Sequence, residues 1–290
     1  MKKSIATISL GGSLTDKLDA IAAAHFDGVE IFEPNLRSYD GSARDIGRYA
    51  KNLGLSVELY QPLRDFEGVS DEQLQRNLDR AEAAFDTMAD LGATLLLACS
   101  NTEANVSDDE ERAAGQLFEL AERAGRRGLK IGYEALAWGR RVATFDKAFR
   151  IVKRADHPHL GLVLDSFHTL VRAEDWSPLR ELPADRIFFV QLGDAPRMNV
   201  DPLTLRRNHS RMPGEGDFDV AGFLRAVLAT GYSGTVSPEI FNEKTPESPL
   251  ASARAAMHSM LLVEERARGA NERESSKPVA VGASKPQGFP

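Results

Sequence analysis

A chain of 290 residues is long enough to bury one large core or two ordinary ones, and its 42% hydrophobic and 27% charged residues are those of a folded globular protein. Lys plus Arg at 36 against Asp plus Glu at 43 leaves a net charge of −7, which excludes long-range attraction to nucleic acid or to an anionic membrane surface. A local basic pocket for a small acid stays open.

The amino terminus, Met1 to Leu10, carries two lysines before an apolar stretch, but charged and acidic residues follow too soon for a signal peptide, so Ile5 to Leu10 is expected to be a first strand. Further β-type runs follow at Gly28 to Phe32, Ser56 to Tyr60, Thr94 to Cys99, Lys130 to Glu134, Gly161 to Asp165, Arg186 to Gln191 and Thr235 to Glu239. Between them lie helix-type patterns, among them Leu14 to Ala24, Glu72 to Leu91, Asp109 to Arg126, Thr144 to Arg154, Phe218 to Thr230 and Leu250 to Ala267. Near-continuous apolar strands alternating with helical crossovers imply a parallel sheet covered on both faces, and eight of them favour closure into a (β/α)8 TIM barrel over residues 1–268. Residues 269–290 hold almost no large apolar side chain and are expected to be a flexible polar tail or an interdomain linker. The one cysteine, Cys99, ends an apolar run and is expected to be a buried thiol. A chain with a single cysteine forms no internal disulfide, as befits a cytoplasmic protein. No apolar run approaches the roughly 20 residues that span a bilayer, so no membrane partner is expected.

Four of the later strands end on a polar residue: Glu134, Asp165, Gln191 and Glu239, which are 31, 26 and 48 positions apart along the chain. Parallel barrel strands bring their carboxyl ends to one rim, so these side chains are expected to converge there. Residues at two positions before each (Gly132, Val163, Phe189 and Ser237) share their parity and point to the same inner face. Inward carboxylates without a counter-ion are costly. Three carboxylates and an amide oxygen suit one divalent ion, Mg2+ or Mn2+, with Co2+ as a substitute. His168, three residues beyond Asp165, is the expected general acid or base, with Glu134 sharing the proton chemistry. Arg64 and Arg211 are candidates for binding a substrate carboxylate, and Tyr60 and Gln61 for shaping the pocket. His25, His157, His159 and His258 are read as structural. Gly11-Gly12-Ser13 and Gly214-Glu215-Gly216 are turn-like and lack the sequence of a nucleotide-binding loop.

At these residues the chain resembles the xylose-isomerase-like barrels that include sugar-phosphate isomerases and epimerases, over roughly residues 4–265. That group commonly binds metal through Glu, Asp, His or Gln, and Glu, which fits Glu134, Asp165, Gln191 and Glu239. Tyr60-Gln61-Pro62-Leu63-Arg64-Asp65-Phe66-Glu67-Gly68, Leu164-Asp165-Ser166-Phe167-His168 and Ser210-Arg211-Met212-Pro213-Gly214-Glu215-Gly216 look like bacterial 3-dehydroshikimate dehydratases. The resemblance implies a hydro-lyase that turns 3-dehydroshikimate, a small-molecule substrate, into protocatechuate in quinate and shikimate catabolism. It further implies a carboxy-terminal partner domain similar to hydroxyphenylpyruvate dioxygenase in some members, for which the tail ending at Pro290 would be the linker. An oligomer is compatible with this reading. The alternative is a sugar or hydroxy-ketone isomerase or epimerase using the same metal site.

Overall fold

The computed structural model describes residues 1–172, 175–241 and 248–275, with side chains described through 269. Eight parallel strands run in the order β1-β8-β7-β6-β5-β4-β3-β2. They are β1 (Lys2–Lys3), β2 (Gly28–Phe32), β3 (Ser56–Leu63), β4 (Leu95–Cys99), β5 (Lys130–Glu134), β6 (Leu160–Asp165), β7 (Ile187–Leu192) and β8 (Thr235–Pro238). The first differs from expectation. Regular pairing is confined to Lys2–Lys3, and Thr7–Ser9 winds into a 3-10 turn instead of continuing as strand to Leu10. The segment still closes the barrel: Ser4 N–H donates to the Val236 carbonyl on one side, Glu30 N–H donates to the Ile5 carbonyl on the other, and Ala6 bridges Glu30. The turn is held there because the Thr7 hydroxyl accepts from Phe32 N–H, at 3.0 Å.

Helices ring the barrel: α1 (Leu14–Ala23), α2 (Glu33–Arg37), α3 (Ala43–Asn52), α4 (Asp71–Leu91), α5 (Glu110–Arg126), α6 (Phe145–Ala155), α7 (Ser166–Leu170), α8 (Pro202–His209), α9 (Val220–Ala229) and α10 (Pro249–Ser275). Their starts are written in the sequence. Ser13 and Ser42 each form a capping box, with Asp16 and Asp45, and Ser70 and Asp109 accept from first-turn amides of α4 and α5. Gly92 ends α4 with a φ of 75°, a conformation that costs a glycine little. The last helix runs to Ser275, past the Gly269 boundary expected for the tail, and residues 276–290 of that tail lie outside the described residues. No helix among the described residues is long and apolar enough to cross a membrane.

The apolar interior is split in two by the barrel wall. A large cluster fills the annulus between strands and helices, and a small one, built on Leu59, Leu95, Leu97, Val163 and Phe189, fills the tube itself. Inside the tube Gly132 is required by close approach, because a Cβ there would lie 2.5 Å from Val163 Cγ2. Above that small cluster, toward the carboxyl ends of the strands, the inner face becomes polar.

Candidate functional site

Register brings the polar strand ends together. Cys99 pairs with Glu134, Asp165 with Gln191, and Gln191 with Ser237, while Glu239 follows the end of β8 and donates its N–H to the Leu192 carbonyl. Glu134, Asp165, Gln191 and Glu239 are each no more than 4% exposed. Ligand atoms of Glu134, Asp165 and His168 lie within 4.8 Å of one another. Beside them opens a cavity of about 540 Å³, onto which Gln61, Arg64, Glu134, His168, Arg206 and Glu239 abut.

Two residues not singled out in the sequence complete the cluster. Arg206, on α8, is 1% exposed; its Nη2 donates to Asp165 Oδ2 at 2.8 Å and to Glu239 Oε2 at 2.5 Å. Its guanidinium lies 4.9 Å from the ring centres of both Phe167 and Phe241, while Nε and Nη1 have no hydrogen-bond partner. Gly193 leaves the space it needs, since a Cβ there would collide with Arg206 Nη1. Glu30, at the centre of β2, is wholly buried and accepts from Gln61 Nε2 at 2.9 Å and Gln191 Nε2 at 2.7 Å through the same oxygen, Oε2. A lone acid at the inward parity of an otherwise apolar strand, Gly-Val-Glu-Ile-Phe, is the signal that would have found Glu30. For Arg206 there was only a polar stretch of the kind that usually forms a solvated loop.

Four buried carboxyls facing one guanidinium are under-neutralised. Burial, with the nearby charges of Asp165 and Glu239, pushes Glu134 well above the usual carboxylate range. Burial also raises Asp165, against the opposing pull of Arg206, and burial together with Glu239 raises Glu30. Among the expected ligands two oxygens stay buried with no donor, Glu134 Oε1 and Gln191 Oε1, and Glu30 Oε1 is left the same way. The other expected ligands are partly engaged: Asp165 accepts from Phe167 N–H and from Arg206, and Glu239 from Gln61 Nε2 and from Arg206. Orphaned acceptors in an oxygen-only set fit a hard divalent cation.

His168 is 6% exposed, and its Nδ1 accepts from Ala137 N–H at 3.1 Å, so the neutral ring carries its proton on Nε2. Burial, then the charges of Arg206 and Arg64, hold its pKa well below the ordinary imidazole value. With Nδ1 engaged, the neutral ring has Nε2–H left to donate. Cys99 is buried as expected; its thiol points at Glu134 Oε2, at 3.6 Å, and burial followed by the Glu134 charge raises its pKa.

Among the expected substrate contacts, Arg64 reaches the cavity, and Gln61 lines it while spending both amide protons inside the cluster, on Glu30 Oε2 and on Glu239 Oε1 at 2.8 Å. Tyr60 does not belong there. Strand alternation turns it to the outer face of β3, where it lines a separate groove with Arg80 and Thr87, and burial pushes its phenol up to about 12. Arg211 is also elsewhere: its side chain is exposed and only its backbone is fixed, by an antiparallel bridge to Asp194. Among the described residues, the arginines that line the cavity are Arg64, Arg206 and Arg207. Asp194, buried beneath, accepts from the amides of Ala195, Gly214, Gly216 and Phe218, so the Gly214-Glu215-Gly216 turn is a cradle for a carboxylate of the chain itself.

Comparisons with known proteins identify relatives of this barrel. A 3-dehydroshikimate dehydratase of Pseudomonas putida is 50% identical over 97% of this chain and 44% of its own length. A solved structure described as a xylose isomerase-like TIM barrel/4-hydroxyphenylpyruvate dioxygenase fusion protein superposes with a TM-score of 0.93 at 48% identity, covering 97% of this chain and 45% of the other. The chain thus spans less than half the length of these two proteins. The fold is shared, at 22% identity and a TM-score of 0.85, with a structure described as IOLI protein with a binding zinc atom, over 92% of this chain and 99% of that one. Residues 18–261 match the sequence model of the xylose isomerase-like TIM barrels, and with eight parallel strands ending on one polar rim, the chain belongs to that family.

Proposed function

We propose that this chain dehydrates 3-dehydroshikimate to protocatechuate, by removing a proton next to the ketone and expelling the β-hydroxyl as water. The reading is carried by the 50% identity to a curated dehydratase across the whole barrel, the part of the chain that contains the buried donor set and its cavity. Glu134, Asp165, Gln191 and Glu239 would hold one divalent ion, Mg2+ or Mn2+, with Co2+ as a substitute. When bound, that ion supplies positive charge against the negative charge that develops on the ketone oxygen as the carbon acid ionises.

The chain's own groups divide the remaining work. Arg64 and Arg207, at the cavity edge, are placed to hold the substrate carboxylate through paired N–H donors. His168 offers Nε2–H to a substrate oxygen, either the ketone as it gains charge or the hydroxyl as it leaves. Glu134 lines the cavity and takes the substrate proton in this reading, besides holding the ion. Leu97, Leu136 and Trp138 close the apolar side and exclude water from a ring that becomes aromatic.

Ultraviolet absorbance of the purified protein mixed with 3-dehydroshikimate tests the proposal. Protocatechuate is expected with Mg2+ or Mn2+ and is expected to disappear with chelator and in Glu239→Gln. No aromatic product from folded protein with any divalent metal would turn the assignment to an isomerase or epimerase acting on a related hydroxy-ketone.

A further inference from the structure

A glutamine side chain has two chemically opposite ends. Its oxygen can bind a cation and its NH2 cannot, yet the terminal torsion that exchanges them has no strong preference of its own. Gln191 therefore serves as a ligand only if something behind it decides which end faces the site. Glu30 is placed to do so. It stands on β2, is wholly buried and is not among the residues that line the cavity. Its Oε2 accepts from Gln191 Nε2 at 2.7 Å; the reversed amide would set two oxygens against each other at that distance. Gln61 braces the same oxygen: its Nε2 donates to Glu30 Oε2 at 2.9 Å and to Glu239 Oε1 at 2.8 Å, so a chain of hydrogen bonds runs from one expected ligand to another through Glu30. At the other end of the amide, Gln191 Oε1 is left buried and without a partner.

We propose that Glu30 is a positioning residue that makes Gln191 an oxygen ligand, fixing its amide with the oxygen toward the divalent ion and the NH2 away from it. The inference rests on the four-ligand reading given above. It explains a buried carboxyl that does not line the cavity, and it accounts for Gln61 as the second arm of the same brace. Without Glu30, Gln191 loses its acceptor and Gln61 keeps only Glu239, Gln191 is free to turn its NH2 inward, and part of the binding energy is spent on restoring its orientation.

The test is calorimetric titration of the chelator-treated full chain with Mn2+, alongside its metal-free melting temperature. The unaltered chain is expected to bind one ion. Glu30→Met, similar in bulk but with no acceptor, is expected to bind about 10- to 100-fold more weakly, the usual effect of removing a group that orients a metal ligand. Glu30→Gln keeps an oxygen for both amides and is expected to retain most of the affinity. A merely structural role would lower the metal-free melting temperature of Glu30→Met and leave Mn2+ affinity alone; unchanged affinity there, or equal weakness in Glu30→Gln, overturns the inference. Should Glu30→Met not fold, Glu30→Asp, too short to reach both amides, takes its place, and unchanged Mn2+ affinity overturns the inference equally. Failure of the unaltered chain to bind any Mn2+ would instead bring down the four-ligand reading along with it.

Discussion

The barrel interior holds two successive layers, separated by roughly 7 Å of strand rise. Leu59, Leu97, Gly132, Val163 and Phe189 form the lower one; Gln61, Cys99, Glu134, Asp165 and Gln191, each two residues further on, form the upper. Both are buried to a similar degree. The lower layer behaves as any packed core does, with a glycine opposite a valine so that side chains fill the tube without overlap. The upper layer carries buried acids whose ionisation is resisted by burial and by one another, and it is held together by a single cation and two amides. Equal burial thus hides opposite energetics: one layer stabilises the fold, and the other costs stability that the proposed ion would offset.

The comparison would break first at Arg206. Arg206→Met removes the one cation that, among the described residues, pairs with the upper-layer acids, and leaving a buried charge without its partner costs about 3–5 kcal/mol. The metal-free variant should melt well below the unaltered chain in calorimetry, with much of the loss recovered when Mn2+ is added; equal melting with and without Arg206 would show that the upper layer needs no compensation. Smaller, and confined to the lower layer, is Gly132→Ala. Its methyl meets Val163, so about 1–3 kcal/mol should be lost to overpacking, and the double variant with Val163→Ala should recover part of it with Mn2+ affinity unchanged. Smallest is a pH effect outside the tube. Glu67, buried behind β5, accepts from Tyr133 Oη at 2.9 Å and from Asn101 N–H at 2.8 Å, and burial raises its carboxyl to about 7 from 4.5. A carboxyl raised in the folded state contributes stability at low pH that is lost as pH rises, so the melting temperature should carry a decline between about pH 4.5 and 7 that is absent in Glu67→Gln.

Much of this was legible in the sequence. Seven strands stand within a few residues of their apolar runs, because near-continuous apolar strands between capped helices admit little else. Glu134, Asp165, Gln191 and Glu239 could be picked out because each ends such a run and parallel topology gathers those ends. The first strand misled because Thr7–Ser9, apolar enough to extend, is pulled into a turn by a hydroxyl contact with a residue 25 positions away. Tyr60 and Arg211 stand apart from the cavity for different reasons: alternation turns Tyr60 to a separate groove, and the bridge to Asp194 fixes the backbone of Arg211 but not its side chain. Arg206 could not be reached by pattern at all, since its burial depends on Gly193, Phe167 and Phe241, three residues from three separate segments.

The route by which Arg206 enters the cluster limits how this protein can vary in length. Its cation is delivered from outside the tube by an eight-residue helix, α8, pinned at one end by the Asp201 cap and at the other by the Ser210 hydroxyl on the Arg206 carbonyl. Beyond it, Asp194 gathers the returning chain by four amides. An insertion or deletion anywhere between 194 and 211 would shift a guanidinium that must fit between two rings and over one glycine. That connection, although it lies on the outside, should tolerate changes of residue type at its exposed positions and very few changes of residue number.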